Sequence, residues 1–122
     1  MALFISQVPA HTVQALTSNT TVNSTHWGAL LTNRGAAAAI VITLPAPTAA
    51  MNGAWFLYRG VADFNMTFAT ATVDTLIVLG DATADSLAFS TGGQLIGALA
   101  LVECDGTSWF ASALSGAGTI AT

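Results

Sequence analysis

Hydrophobic and polar residues alternate in short runs along the chain, and no stretch shows a 3.6-residue apolar period with helix caps. Thr, Val, Ile, Phe and Trp fill these runs, and Gly, Pro, Asn and Asp separate them about every 8–12 residues, which is typical of strands. About seven to nine short strands are therefore predicted. The candidate segments are Thr12–Leu16, Trp27–Thr32, Ala39–Leu44, Ala54–Tyr58, Phe64–Ala71, Thr75–Leu79, Ser86–Phe89, Ile96–Cys104 and Thr107–Ala113.

This pattern predicts an all-β protein, an antiparallel β-sandwich or barrel. A chain of 122 residues is long enough to bury one core without a disulfide or a structural metal. Three parts are distinguished by composition: an extended N-terminal arm at residues 1–24, a β-domain at residues 25–114, and a tail of small residues at 115–122.

The last two predicted strands form a hairpin around Asp105-Gly106, a pair that favours a two-residue type I′ turn. That turn places Cys104 opposite Thr107 and Val102 opposite Trp109. Both faces of the hairpin are then apolar, so it is predicted to be buried on both sides or to contact a neighbouring chain. One face carries Val102, Cys104, Trp109 and Ala111, and the other carries Leu99, Leu101, Glu103, Phe110 and Ser112.

The composition supports contact with other subunits. Hydrophobic residues make up 53% of the chain and charged residues 7%, with a net charge of −4. The chain has no lysine, and Arg34 and Arg59 are its only strong cations. Two cations provide no electrostatic footprint for nucleic acid or anionic lipid. No apolar run reaches the 18 or so residues of a membrane span, so neither a nucleic acid nor a membrane is expected as a partner.

Residues with catalytic or metal-binding chemistry do not form a recognisable motif. The two histidines, His11 and His26, lie in a Thr- and Asn-rich segment, and the lone Cys104 has acidic neighbours that disfavour a thiolate. The aspartates lack the spacing of a calcium loop. We therefore expect a structural or interaction module, with no enzymatic activity, cofactor or metal.

The three tryptophans, Trp27, Trp55 and Trp109, lie in predicted strands. Core or interface anchoring is the favoured interpretation, and a sugar-binding platform is the alternative.

Several segments resemble one family of virion proteins. The run ITLPAPTAAMNGA at residues 42–54 is similar to a segment common in small tailed-phage proteins, and residues 93–97 and 102–109 are similar to their closing hairpin, with its DGT-x-W motif. Residues 65–68 and 74–76 match the strands between. Across about residues 20–113, the chain resembles the head decoration (cement) proteins of tailed bacteriophages.

The resemblance implies a structural protein on the outer surface of the capsid, where it binds the major capsid protein, bridges capsomers and assembles as a trimer. The alternative is a tail-fibre or receptor-binding β-module of a phage particle. Residues predicted at the capsid or subunit interface are Leu3, Phe4, Ile5, Val8, Trp27, Arg34, Arg59 and Trp109.

The first eight residues carry the four apolar members of that set and no charged side chain, and Pro9 follows them. Such a segment can add a strand to the edge of a neighbouring sheet. Residues 1–8 are therefore predicted to fasten the protein to a neighbour. The alternative is that they fold back on their own sheet.

Overall fold

A computed structural model describes residues 12–122 of the chain. They contain two single 3₁₀ turns, Ser24–His26 and Ala49–Met51, and twelve strands. The strands are β1 (Val13–Ala15), β2 (Thr20–Thr21), β3 (Leu30–Thr32), β4 (Ile40–Leu44), β5 (Trp55–Arg59), β6 (Met66–Thr70), β7 (Leu76–Val78), β8 (Asp81–Ala84), β9 (Ser86–Phe89), β10 (Leu99–Cys104), β11 (Trp109–Ser115) and β12 (Gly118–Ala121).

These strands form two sheets that share one core. The seven-stranded sheet has the order β1-β3-β5-β10-β11-β7-β8, and the five-stranded sheet has the order β12-β9-β6-β4-β2. The prediction of an all-β sandwich is confirmed. Each of the nine predicted strands overlaps an observed one, and β2, β8 and β12 were not predicted.

The prediction of an antiparallel arrangement is only half right. Five of the ten strand pairings within residues 12–122 are parallel. From β1 to β6 the chain places successive strands in alternate sheets. Every second strand therefore runs in the same direction, and neighbours such as β3 and β5 pair in parallel. We call β1–β6 the two-sheet coil. The prediction gave an antiparallel arrangement and did not include this alternation between the two sheets.

The sheets extend past both predicted ends of the β-domain. Strands β1 and β2 lie within the segment predicted as an arm, and β12 lies within the predicted tail, where it pairs antiparallel with β9. Gly118 of β12 approaches the Leu87 side chain so closely that a Cβ at this position would overlap it. The small residues of the C-terminal segment thus fit against the core, although they give little strand signal.

The core lies between the two sheets and is centred on aromatic residues. Phe56 and Tyr58 of β5 face Phe68 of β6 across the sandwich, with ring centroids 6.0 and 5.5 Å from the Phe68 ring. Tyr58 also stacks on Phe89 of β9 at 6.3 Å. All four side chains are at most 1% exposed. Alternation along each strand directs these side chains inward and their neighbours outward.

The β10–β11 hairpin has a register two residues away from the predicted one. Cys104 pairs with Trp109, and Asp105–Ser108 form a four-residue loop. A type I′ turn needs positive φ at both central residues, here Asp105 and Gly106. Gly106 has a φ of 88°, but Asp105 does not have a positive φ. The Asp105 carboxylate instead accepts hydrogen bonds from the backbone N–H groups of Thr107 and Ser108 at 2.9 and 2.8 Å. A two-residue shift keeps every side chain on its predicted face.

Candidate functional site

The outer side of the seven-stranded sheet is covered with large apolar side chains, and we call it the leucine face. Its members alternate with buried core residues along their strands. Six of them are partly exposed, and Trp55 is 39% exposed. They are Leu30, Trp55, Leu57, Ile77, Leu99, Leu101 and Phe110.

Strand register arranges the leucine face in rows across the sheet. The middle row runs from Val13 through Leu30, Leu57 and Leu101 to Ser112. The row on one side of it contains Trp55, Glu103, Phe110 and Ile77. Neighbouring strands lie about 4.8 Å apart, so paired residues in a row are close neighbours. The middle row is apolar from Val13 to Leu101, whereas Glu103 interrupts the other row between Trp55 and Phe110.

One charged side chain lies near each end of this surface. Arg59 is opposite Leu99 in the row on the other side of the middle, and Glu103 is opposite Trp55. Both charged residues are exposed. Glu103 follows Leu99 by four residues on β10, so the two charges lie about 13 Å apart along the strands. The leucine face therefore has a positive end and a negative end.

The outer side of the five-stranded sheet is different, and we call it the threonine face. Its rows consist of Thr, Ala and Ser, with Val41 as the largest apolar side chain. The members from the three central strands are Val41, Thr43, Thr67, Ala69, Ser86 and Ala88. Small hydroxyl-bearing side chains can face water, whereas a contiguous surface of Leu, Trp, Phe and Ile marks a site of interaction.

An apolar cleft opens between the two sheets beside β12. It has a volume of about 360 Å³, and its lining includes Val78, Leu87, Ala111 and Ile120. Leu79 also lines the cleft, and its side chain is 95% exposed. The lining has no titratable side chain, so the cleft suits an apolar group and has no means of acid–base chemistry.

His26 and Cys104 both make hydrogen bonds that hold local structure. Nδ1 of His26 accepts a hydrogen bond from the Asn23 backbone N–H at 3.0 Å, and Asn23 in turn caps the Ser24–His26 turn by accepting from Thr25. Cys104 is buried, and its Sγ accepts from the Gly106 N–H at 3.3 Å. No cluster of three His, Cys, Asp or Glu side chains suited to a metal occurs within residues 12–122.

The predicted interface residues have different environments. Leu3, Phe4, Ile5 and Val8 lie outside the described residues, as does His11. Arg34 is exposed in the turn after β3, and Arg59 lies on the leucine face.

The two tryptophans of that set pack together, with ring centroids 5.8 Å apart. Trp27 is partly exposed, whereas Trp109 has no exposed surface. The assignment of Trp109 to an interface is therefore corrected: its side chain is a core residue and offers no surface to a partner.

The prediction anticipated only part of the leucine face. The apolar outer side of the hairpin, with Leu99, Leu101 and Phe110, was found from alternation alone. Leu30, Leu57 and Trp55 were not included, because the sequence does not reveal that β5 lies beside β10 and that β3 lies beside β5. The available signal was the alternation of Trp55 and Leu57 with buried Phe56 and Tyr58 in one strand.

Comparisons of the chain with models of protein families, with curated proteins and with solved structures found no match. Among the residues that the structure describes, no helix is long and apolar enough to cross a membrane.

Proposed function

We propose that this protein is a structural component of a tailed-phage particle that decorates the outside of the head and stabilises it by bridging capsomers. The observation that carries the proposal is the leucine face, a largely apolar outer sheet surface on a chain with only 7% charged residues. Exposure of so much apolar area to water is unfavourable, and in obligate assemblies other subunits cover such surfaces. The sequence resemblance to head decoration proteins supplies the kind of particle.

The proposed partners are the major capsid protein and further copies of this chain, assembled as a trimer. Residues 1–8 are proposed to fasten the protein to a neighbour. The proposal includes no catalysis, because the histidine and cysteine of the described segment are occupied in structural contacts with Asn23 and Gly106.

Mixing the purified protein with undecorated phage heads and, separately, with host cells tests this function. Sedimentation of the heads should carry the protein with them at a fixed number of copies per head, and decorated heads should resist heat or chelator better than bare ones. Binding to cells without binding to heads would overturn the proposal in favour of a receptor-binding module.

Deleting residues 1–8 tests the role of the arm. If these residues fasten the protein to a neighbour, the truncated protein keeps its melting temperature and loses affinity for heads. If they fold back on their own sheet, the melting temperature falls. Unchanged affinity for heads would contradict the proposed arm.

A further inference from the structure

We propose that the apolar cleft beside β12 binds residues 3–8 of a second copy of this chain, as a strand added to the edge of β11. The inference rests on the proposed arm of residues 1–8, and it specifies both the neighbour and the place where the arm binds. It does not depend on the phage head.

The cleft is an opening into the core. Ile120 of β12 pairs with the buried Leu87, so its side chain points between the two sheets, yet it is 39% exposed. Leu79, in the turn after β7, also lines the cleft and is 95% exposed. An inward-facing isoleucine that water reaches, beside an exposed leucine, marks a binding site for further apolar side chains.

The backbone at the cleft has an open strand edge. β7 pairs with β11 only at Trp109 and Phe110, so within the described chain no strand pairs with residues 111–115 on that side. The Trp109 N–H donates to the Thr75 carbonyl on the β7 side. Because N–H groups alternate in direction along a strand, that of Ala113 points to the same side, beyond the residues that β7 pairs. An extended segment can therefore add here through backbone hydrogen bonds.

The N-terminal segment has the chemistry that this cleft requires. Residues 3–8 are Leu-Phe-Ile-Ser-Gln-Val, with no charged side chain, and the cleft lining has no titratable side chain. Binding therefore desolvates no charge. The cleft volume of about 360 Å³ is within the range of ligand pockets, so it accommodates large apolar side chains from alternate positions of the added strand. Pro9 lacks an N–H group, so strand pairing ends before it.

The length of chain before Thr12 favours the cleft of a second copy. β1 lies at one edge of the seven-stranded sheet, and the cleft lies beside β11 in line with β7, five strands across. At about 4.8 Å per strand, that distance is about 24 Å along a line through the sheet itself, and a path around the sheet is longer. Ile5 is seven residues before Thr12 and reaches at most about 25 Å when fully extended. Residues 5–8 are therefore too close to β1 to lie in the cleft of their own chain.

The contact joins two different surfaces, an arm and a cleft. Every copy has both, so each copy can give its arm to one neighbour and receive the arm of another. Copies linked in this way bind a head at several points at once, which explains why loss of the arm should lower the affinity for heads.

Disulfide trapping in the full chain tests the contact. One preparation carries Ser6→Cys, which keeps every apolar side chain of the arm, and a second carries Leu79→Cys at the cleft. Mixed under a mild oxidant, they should form a linked species of twice 12.3 kDa, in which peptide mass spectrometry identifies the bond between positions 6 and 79. Cys104 is buried and stays unchanged.

The matched control is Arg34→Cys, an exposed position in the turn after β3, four strands away from β7. Mixed with the Ser6→Cys protein, it should give at least about tenfold less linked product, because a bound arm raises the effective concentration only at the cleft. Equal yields at positions 79 and 34 would overturn the proposal.

A second pair of variants tests the cleft itself. Ile120→Glu, added to the Leu79→Cys protein, places a charge in the apolar cleft and should lower the yield of the link by about tenfold or more. Thr119→Glu lies on the outer side of β12, opposite Ala88, and should leave the yield nearly unchanged. Far-UV circular dichroism establishes that both variants are folded. An undiminished yield with Ile120→Glu, or equal losses in the two variants, would contradict binding in the cleft.

A single chain that carries both Ser6→Cys and Leu79→Cys separates the two possible sources of the arm. Links between chains, seen as species larger than 12.3 kDa, support the proposal, whereas a link confined to the monomer would show that the arm fills its own cleft and would overturn it. Linked copies that do not coat heads would support the inference and contradict the proposed function. Coating of heads without a link between positions 6 and 79 would do the reverse.

Discussion

The indole N–H of Trp109 donates a hydrogen bond to the backbone carbonyl oxygen of Pro45 at 2.8 Å, linking positions 64 residues apart in the chain. Pro45 directly follows β4 of the five-stranded sheet, and Trp109 begins β11 of the other. The bond therefore ties the two sheets together at one end of the sandwich. It also gives a partner to the indole N–H, the one polar group of a side chain that has no exposed surface.

Trp109→Phe should lower the free energy of unfolding by about 2–4 kcal/mol, because it leaves the Pro45 carbonyl without this donor and opens space in the core. Urea unfolding followed by circular dichroism measures the change. Trp27→Phe is the control: Trp27 packs on Trp109 but is partly exposed, so it should cost less. Equal losses in the two variants would contradict the importance of the hydrogen bond.

Asn33 is fully buried and organises the segment after β5. Its Oδ1 accepts hydrogen bonds from the backbone N–H groups of Val61 and Ala62, both at 2.8 Å, and its Nδ2 donates to the Ala62 carbonyl at 3.1 Å. Asn33→Ala leaves these groups unpaired and should cost about 2–4 kcal/mol. The exposed Asn65 is the control, and Asn65→Ala should stay within about 0.5 kcal/mol of wild type in the same urea titration.

Alternation of residue types was sufficient to predict which side chains of a strand share a face, but not which strands are neighbours. The Asp105 loop has a different length from the predicted one, yet Cys104 and Trp109 lie on one face as expected, because side-chain direction depends only on odd or even position. The parallel pairing of β3 with β5 has no local signal. It depends on β4, which lies between β3 and β5 in the chain but belongs to the facing sheet.

Gly60 is a position where the backbone of another segment passes too closely for a side chain. Its N–H donates to the Ala98 carbonyl, and a Cβ at this position would overlap the Leu95 carbonyl oxygen. Gly60→Ala should therefore shift the backbone and lower the melting temperature by about 8 °C or more, equivalent to about 2 kcal/mol. Gly92 has open space around it, so Gly92→Ala should leave the melting temperature nearly unchanged. A tolerated Gly60→Ala would show that residues 95–98 are not held against β5.

Alkaline pH should destabilise the protein through Tyr58. Burial raises the pKa of this phenol to about 12, compared with 10.0 for an exposed tyrosine. The folded state thus keeps the proton more strongly than the unfolded state, and the stability contributed is complete below pH 10 and lost between about pH 10 and 12. The loss reaches about 2–3 kcal/mol. Urea unfolding at pH 8, 10 and 11 measures it. Tyr58→Phe, which removes the only tyrosine of the chain, should reduce this pH dependence to the smaller part that Cys104 contributes through its own raised pKa.

Cys104 should react slowly with a thiol reagent in the native protein. Burial raises the pKa of its thiol, the neighbouring Asp105 carboxylate raises it further, and the Gly106 N–H acts in the opposite direction. The thiolate fraction at pH 7–8 is therefore smaller than for an exposed cysteine, and the sulfur is shielded. Labelling rates in native buffer and in urea should differ by at least about a hundredfold. Similar rates in the two conditions would show that the inner face of the hairpin is open to solvent.

For the leucine face, too, the sequence predicted the part formed by neighbouring segments of the chain and missed the part formed by distant ones. Leu99, Leu101 and Phe110 were recognised as an outward apolar group because they lie on two strands joined by a short loop. Trp55 and Leu57 extend this surface only because β5 pairs with β10 more than 40 residues later. Trp109 was misassigned because strand alternation shows that Trp109 and Cys104 share a face, but not that this face is the inner one.

The two-sheet coil also has a consequence for the order in which we expect the chain to fold. Leu30 pairs with Val13, and Leu57 pairs with Leu30, so a turn of the coil closes only after 17 or 27 residues are in place. The β10–β11 hairpin needs only a four-residue loop and can form first. The order of the sheet leads us to expect that β5 docks on β10 next, and that β3 and finally β1 are added at the edge it provides. We expect folding in milliseconds to seconds, as for other proteins dominated by non-local pairing, with the N-terminal strands ordered last.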